Sequence, residues 1–292
     1  MNQTGSSDGD ARYGRFPDGT LQPGYKQQTV VDGEHRVVVG LEVFPANRAE
    51  GVDAVGIVEQ VREEVGLRPE VICADGAYGS GANRAAFEER GMRLVSPPQP
   101  VPHQGGECFT VDRFIYNESC DEFECPGGKR LGYAGRTGRK GRQRKYRCKH
   151  KVCRSCALRS QCTPGAVRCV TVSKDHAALI RLRADSKTDD FQQLYRGRAP
   201  AIEGVFAEAK ERHGLRRAWR RGLSKMRIQC LLIAAVINFK RLITLFLPQN
   251  GLPGAIWTAI ATLGRILTAI AQLETTPISF HEHHRRITPI PA

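Results

Sequence analysis

Residues 129–159 carry 13 Lys and Arg and not one Asp or Glu. Around them, residues 103–170 hold eight of the ten cysteines and many glycines. A run of unpaired like charges resists burial, so it cannot form the interior of a sheet or helix layer. It reads as an inserted module with its own organisation. The segments on either side, 25–102 and 171–247, must then build one core around it.

Those flanks have the periodicity of packed elements. Residues 25–32 and 36–44 read as strands, the second a β-branched run ended by Pro45. Residues 52–65 place Val52, Val55, Ile57, Val58, Val61 and Val65 at mostly helical spacing before Gly66. A short buried-type strand at 70–74, a helix at 83–90 and a strand at 92–95 follow. Beyond the module, a helix is expected at 175–183. Another is expected to open at Pro200, since proline suits the first helical position. A long apolar helix is expected from Ser224 to about residue 247. Residues 1–24, rich in Gly, Ser, Asp and Pro, read as a flexible arm, and 248–292 as a tail. Strands alternating with helices make this an α/β chain with helices on the faces of a sheet.

Charge is divided unequally. The chain has 44 Lys+Arg and 30 Asp+Glu, a net +14. Residues 1–125 hold 11 basic and 21 acidic groups, or −10; the remainder holds 33 and 9, or +24. The basic half suits a polyanion such as double-stranded DNA. The longest uncharged run, 242–264, contains two prolines, so no membrane role is expected; Arg265 interrupts the apolar stretch 255–273. The His-rich end, HEHHRR, reads as a solvated tail. No basic-then-apolar leader opens the sequence, so a cytoplasmic protein is expected.

Without a secretory context the cysteines point to metal and away from disulfides. Cys153-x2-Cys156 is the tightest pair. With Cys125 and Cys162 it can complete a tetrahedral zinc site of four thiolates, with Cys148 and Cys120 as alternates. Cys73 and Cys230 sit in apolar runs and read as core residues.

Two carboxylates stand out. Asp75 ends a short apolar strand and precedes Gly76-Ala77-Tyr78-Gly79, where α/β proteins place ligand-binding groups. Its plainer role would be to cap the turn that follows. Glu203 lies in YRGRAPAIEGVFAEAKERHGLRR, seven residues before Lys210 and on the same helix face. Glu208 and Glu211 compete with it, and an ordinary solvated face is the plainer reading.

These segments together resemble bacterial insertion-sequence transposases of the DDE superfamily, of the subgroup with a cysteine-rich insertion. The matching stretches are PGYKQQTVVD, VICADGAYGS, CPGGKRL with CRSCALRSQC, YRGRAPAIEGVFAEAKERHGLRRAWRRGL and INFKRL. The resemblance implies a ribonuclease-H-like mixed sheet with flanking helices, interrupted by a zinc-ribbon-like insertion. It implies that Asp75 is the second catalytic Asp and Glu203 the final Glu, together holding Mg²⁺ or Mn²⁺. Tyr195, Arg198 and Lys210 fall on the family's Tyr/Arg/Lys signature. Such enzymes cut a phosphodiester with two divalent ions about 3.5–4 Å apart and join the freed 3′-OH to target DNA. Arg198 and Lys210, with Arg216, Arg217, Arg220 and Arg221 beyond them, are the expected DNA contacts.

The resemblance also requires a first Asp on the first of three antiparallel strands. Only two convincing strands precede residue 52, and Asp8, Asp10 and Asp18 lie in loop-like sequence. The expectation is a carboxyl-terminal part of a transposase, its first strand missing and unable to cleave alone. It would partner DNA, further copies of itself or an intact transposase. Two other readings compete: a non-catalytic zinc-dependent DNA-binding protein derived from a transposase, and a nuclease that completes its site with Asp32.

Overall fold

The computed structural model describes residues 4–5, 8–16, 19–100, 108–246, 262 and 265. The expected packing stretch 255–273, apart from 262 and 265, and the His-rich end lie outside the described residues. The first elements are β1 (Thr4–Gly5), β2 (Asp8–Arg15), β3 (Leu21–Val31), β4 (Val38–Pro45) and α1 (Ala54–Glu64). Then come β5 (Val71–Cys73), α2 (Gly81–Glu88) and β6 (Arg93–Val95). The basic region supplies β7 (Ile115–Asn117), β8 (Glu122–Glu124), β9 (Arg130–Thr137), β10 (Gln143–Cys148), α3 (His150–Arg154), α4 (Arg159–Cys162) and β11 (Cys169–Ser173). Last are α5 (His176–Asp185), α6 (Asp189–Arg212) and α7 (Leu223–Phe246). The chain divides into two compact units, Met1–Asn47 with Glu203–Ala292, and Arg48–Ile202.

In the first unit, β1 to β4 form an antiparallel sheet in sequence order. Val38, Leu41 and Val43 of β4 are buried against Met226, Cys230, Ile233 and Ile237 of α7, with Val205 and Ala209 of α6. Asn238 fastens helix to strand: its Oδ1 accepts from the Val38 N–H and its Nδ2 donates to the Val38 carbonyl, both at 2.7 Å. The opposite face of α7 exposes Ile228, Leu231 and Leu232. By length and composition, 223–245 is the described stretch apolar enough to cross a membrane.

The residues expected to be a flexible arm are in part a strand. Arg12 to Arg15 of β2 pair with Gly24 to Leu21 of β3. The strand lacks an apolar run because its buried positions are filled by Ala11 and Gly14. A Cβ on Gly14 would lie 2.4 Å from the Ala46 carbonyl oxygen, so only glycine fits. Three full strands therefore precede α1, where two were expected.

In the second unit β5 and β6 pair in parallel, and five antiparallel strands run in the order β11-β10-β9-β8-β7. In place of one mixed sheet, the described strands thus fall into three sheets. The five-stranded sheet owns a separate core of Val111, Phe114, Phe123, Leu131, Tyr146, Val170 and Val172. This is how the basic segment folds. Alternation sends Tyr146 and Cys148 inward and Lys145 and Arg147 outward.

Helix α6 corrects a second expectation. Pro200 lies inside it, and the helix begins at Asp189. Thr188 Oγ1 accepts from the Phe191 N–H at 3.3 Å, and Asp189 and Asp190 occupy the positive first turn. These start signals outweigh the loss of one backbone hydrogen bond at Pro200.

Candidate functional site

Asp75 follows β5 in a loop held from several sides. Its Oδ1 accepts from the Ala77 N–H at 2.9 Å, the capping role. Ser96 Oγ donates to the Asp75 carbonyl at 2.5 Å, and Gln99 Nε2 to the Ala77 carbonyl at 2.8 Å. Asn83 Nδ2 bridges the Gly51 and Tyr78 carbonyls at 3.0 Å each. A side chain on Gly79 would run into the Pro97 carbonyl. Oδ2 of Asp75 has no hydrogen bond among the described residues.

Burial, with the Asp75 and Glu50 carboxylates, pushes the Tyr78 phenol up to about 12; Arg198 acts in the opposite sense. Burial also raises the Cys73 thiol, again opposed by Arg198. The structure therefore gathers Glu50, Asp75, Tyr78 and Arg198 into one local field. Arg198 stacks 5.8 Å over the Tyr195 ring. Glu50 and Tyr78 escaped sequence reasoning, although Tyr78 lies inside the glycine loop that drew attention to Asp75.

Glu203 and Lys210 are exposed on α6, in the other compact unit. Lys210 Nζ lies 5.8 Å over the Phe206 ring. The competing carboxylates are committed elsewhere. Glu208 binds Lys240 and, at 2.7 Å, Arg241. Burial would raise its pKa, but these cations outweigh it and hold it low. Glu211 pairs with Arg216. Arg216, Arg217, Arg220 and Arg221 are exposed on the connection between α6 and α7. Buried Gln229 braces that connection: it accepts from Trp219 N–H at 2.9 Å and donates to the Arg217 and Gly214 carbonyls at 2.9 and 3.3 Å.

The alternative carboxylates also have structural work. Asp8 Oδ2 accepts from the Tyr25 hydroxyl at 2.5 Å and the Gly222 N–H at 3.1 Å, and Asp10 Oδ2 accepts from Leu223 N–H at 2.9 Å. Both thus satisfy orphan donors at the start of α7, where negative charge is favoured. The Tyr25 bond leads in holding the Asp8 pKa low. Asp32 Oδ2 accepts from His35 N–H at 2.6 Å and so closes the β3–β4 turn.

Cys125, Cys148, Cys153, Cys156 and Cys162 line one pocket together with Arg168. Cys125 opens a tight turn, its carbonyl accepting from Gly128 N–H at 2.8 Å. Burial, aided by a hydrogen bond with Cys153, raises the Cys148 thiol to about 12. Cys162 is raised by burial, against Arg168. Arg168 donates to the Cys162 and Phe109 carbonyls at 3.0 and 2.7 Å, while its buried Nε has no partner among the described residues. All ten cysteines are free. Cys120 stands apart, exposed in the β7–β8 turn near Ser119. The expected metal sets are nevertheless not assembled: among the described residues, no three His, Cys, Asp or Glu side chains are arranged to hold an ion. The thiols pack here as small hydrophobes, and Cys148, tucked in at the end of β10, shares the space expected to hold four.

Residues 124–243 match the family described as Transposase DDE domain. The match supports a DDE-superfamily transposase. It spans the cysteine pocket, Glu203, Lys210 and the basic connection between α6 and α7. No curated protein and no solved structure matches the chain.

Proposed function

We propose that this chain handles double-stranded DNA in the manner of a DDE transposase, in the cytoplasm, and that it does not cut strands unaided. The observation that carries this reading is the family match over 124–243, which contains Glu203 and Lys210. Asp75 supports it by standing at the carboxyl end of a parallel strand with one oxygen open and Arg198 nearby.

Asp75 and Glu203 supply hard carboxylate oxygens suited to Mg²⁺ or Mn²⁺. When bound, such ions activate water and stabilise the leaving oxygen in phosphodiester cleavage. The resemblance makes Arg198 and Lys210 the phosphate contacts. Arg216, Arg217, Arg220 and Arg221 grip the backbone further along. A third carboxylate is needed, and Asp8, Asp10 and Asp32 each hold a turn or a helix start. That commitment favours the second reading, a non-catalytic DNA-binding protein of transposase descent, acting with its own copies or with an intact transposase.

Zn²⁺ belongs to the same reading. On the resemblance, Cys125, Cys153, Cys156 and Cys162 would hold the ion as thiolates, after rearranging from the packing described above. Arg168, whose buried Nε has no partner among the described residues, lines the same pocket and would be the outer donor to such a site.

Mn²⁺ binding by the full chain, followed by electron paramagnetic resonance, tests the carboxylate assignment. Weak binding that Asp75→Asn and Glu203→Gln each abolish is expected. Tight binding untouched by both substitutions would refute the assignment.

A further inference from the structure

We propose that the outer face of β9, β10 and β11 is a docking surface for the sugar–phosphate backbone of double-stranded DNA. The proposal rests on the DNA reading above and gives it a place apart from Arg198, Lys210 and the α6–α7 connection.

Strand register carries the argument. Lys145 of β10 stands between Gly135 of β9 and Thr171 of β11. Arg147 stands between Gly132 and Cys169, and Gln143 between Thr137 and Ser173. Lys145 and Arg147 are thus flanked by glycines on the β9 side and by short side chains on the β11 side. Low neighbours let a broad, stiff polyanion reach the pair. Lys145 and Arg147 lie about 6.6 Å apart at the usual rise of a strand.

The two faces of β10 treat charge differently. On the inner face Arg144 is neutralised by Asp121 at 2.7 Å. On the outer face neither Lys145 nor Arg147 has a carboxylate partner among the described residues. Nor do Arg139, Lys140 and Arg142 at the adjoining hairpin tip. Each therefore keeps its full charge for phosphate.

The same geometry disfavours a single strand. Base stacking needs exposed rings. Here Tyr116, Phe123 and Tyr146 pack against one another on the inner side, with centroids 4.9 to 6.2 Å apart, and Tyr133, which is 47% exposed, has the Arg144 guanidinium 5.0 Å over its ring. The outer face also lacks the aromatic or aliphatic anchor that centres a protein interface.

The test measures binding of the full chain to labelled duplexes of unrelated sequence over a salt series. Each phosphate contact contributes about 0.9 to the slope of log affinity against log salt. The Lys145→Gln/Arg147→Gln variant is expected to reduce that slope by about 2 for every sequence, with an unchanged melting temperature. Arg130→Gln, whose cation already faces Glu122 at 3.8 Å, should leave the slope in place. An unaltered slope in the double variant, while the natural chain still binds duplex, overturns this surface and leaves the functional reading standing. A natural chain that binds no duplex overturns the functional reading itself. Tighter binding of single strands than of duplex also overturns the surface.

Discussion

His176 shows how one residue sets a condition on the whole five-stranded module. It is 5% exposed, with its ring 5.3 Å from Tyr116 and 5.4 Å from Phe123. Burial, reinforced by Arg183, lowers its pKa from 6.5 to about 4. The unfolded chain therefore takes up a proton near pH 6.5 that the folded chain refuses until about pH 4. Stability must rise with pH across that window and fall as the solution is acidified through it. The full effect is roughly 3 kcal/mol at the acid end. Melting temperatures of the natural chain and of His176→Phe, compared between pH 7 and pH 4.5, check this; the variant should lose less on acidification. Nearby, Asp121 accepts from Tyr146, Tyr116 and Arg144 at 2.6, 2.9 and 2.7 Å. Neither residue is legible in the sequence. A lone His or Asp in a polar stretch carries no pattern, and its partners come from strands and helices far along the chain.

At the scale of elements, the cysteine module makes the clearest demand. Five sulfurs reach one pocket from the turn after β8, the end of β10, α3 and its exit, and α4. One zinc per chain is the expected result of metal analysis on purified protein, with Cys153→Ser or Cys156→Ser losing it. Metal-free protein whose thiols all titrate would contradict the zinc assignment. Elements with periodic apolar residues were legible in advance. Of the residues whose spacing marked α1, Ile57, Val58 and Val61 are buried while Val52 and Val65, just outside the helix, are exposed; in β4, Val38, Leu41 and Val43 are buried. Strand β2 was not legible, because Ala11 and Gly14 fill its buried positions and no hydrophobic run marks it. The start of α6 was misplaced because Pro200 is a frequent helix opener, while Thr188, Asp189 and Asp190 supply a complete start signal well upstream. Asp8 and Asp10 looked like loop residues; only the fold reveals that they receive the first N–H groups of α7.

At the scale of the whole molecule, the uneven charge acquires a division of labour. The cation-rich stretch folds into antiparallel strands and short helices, with Lys145 and Arg147 on the outer face and Arg144 paired with Asp121 on the inner one, and the α6–α7 connection displays a second group braced by Gln229. Asp75 and Glu203 were legible as candidates from a strand end and a helix spacing. Their relation was not, since each belongs to a different compact unit. The central claim joins DNA binding to the absence of unaided cleavage. It is tested most directly by incubating the full chain with labelled duplex DNA, with and without Mg²⁺ or Mn²⁺, and following retention and strand integrity together. The account predicts retention that weakens steeply with salt and strands that stay intact in either metal. Efficient metal-dependent cutting, abolished by Asp32→Asn, or no retention at low salt would contradict it.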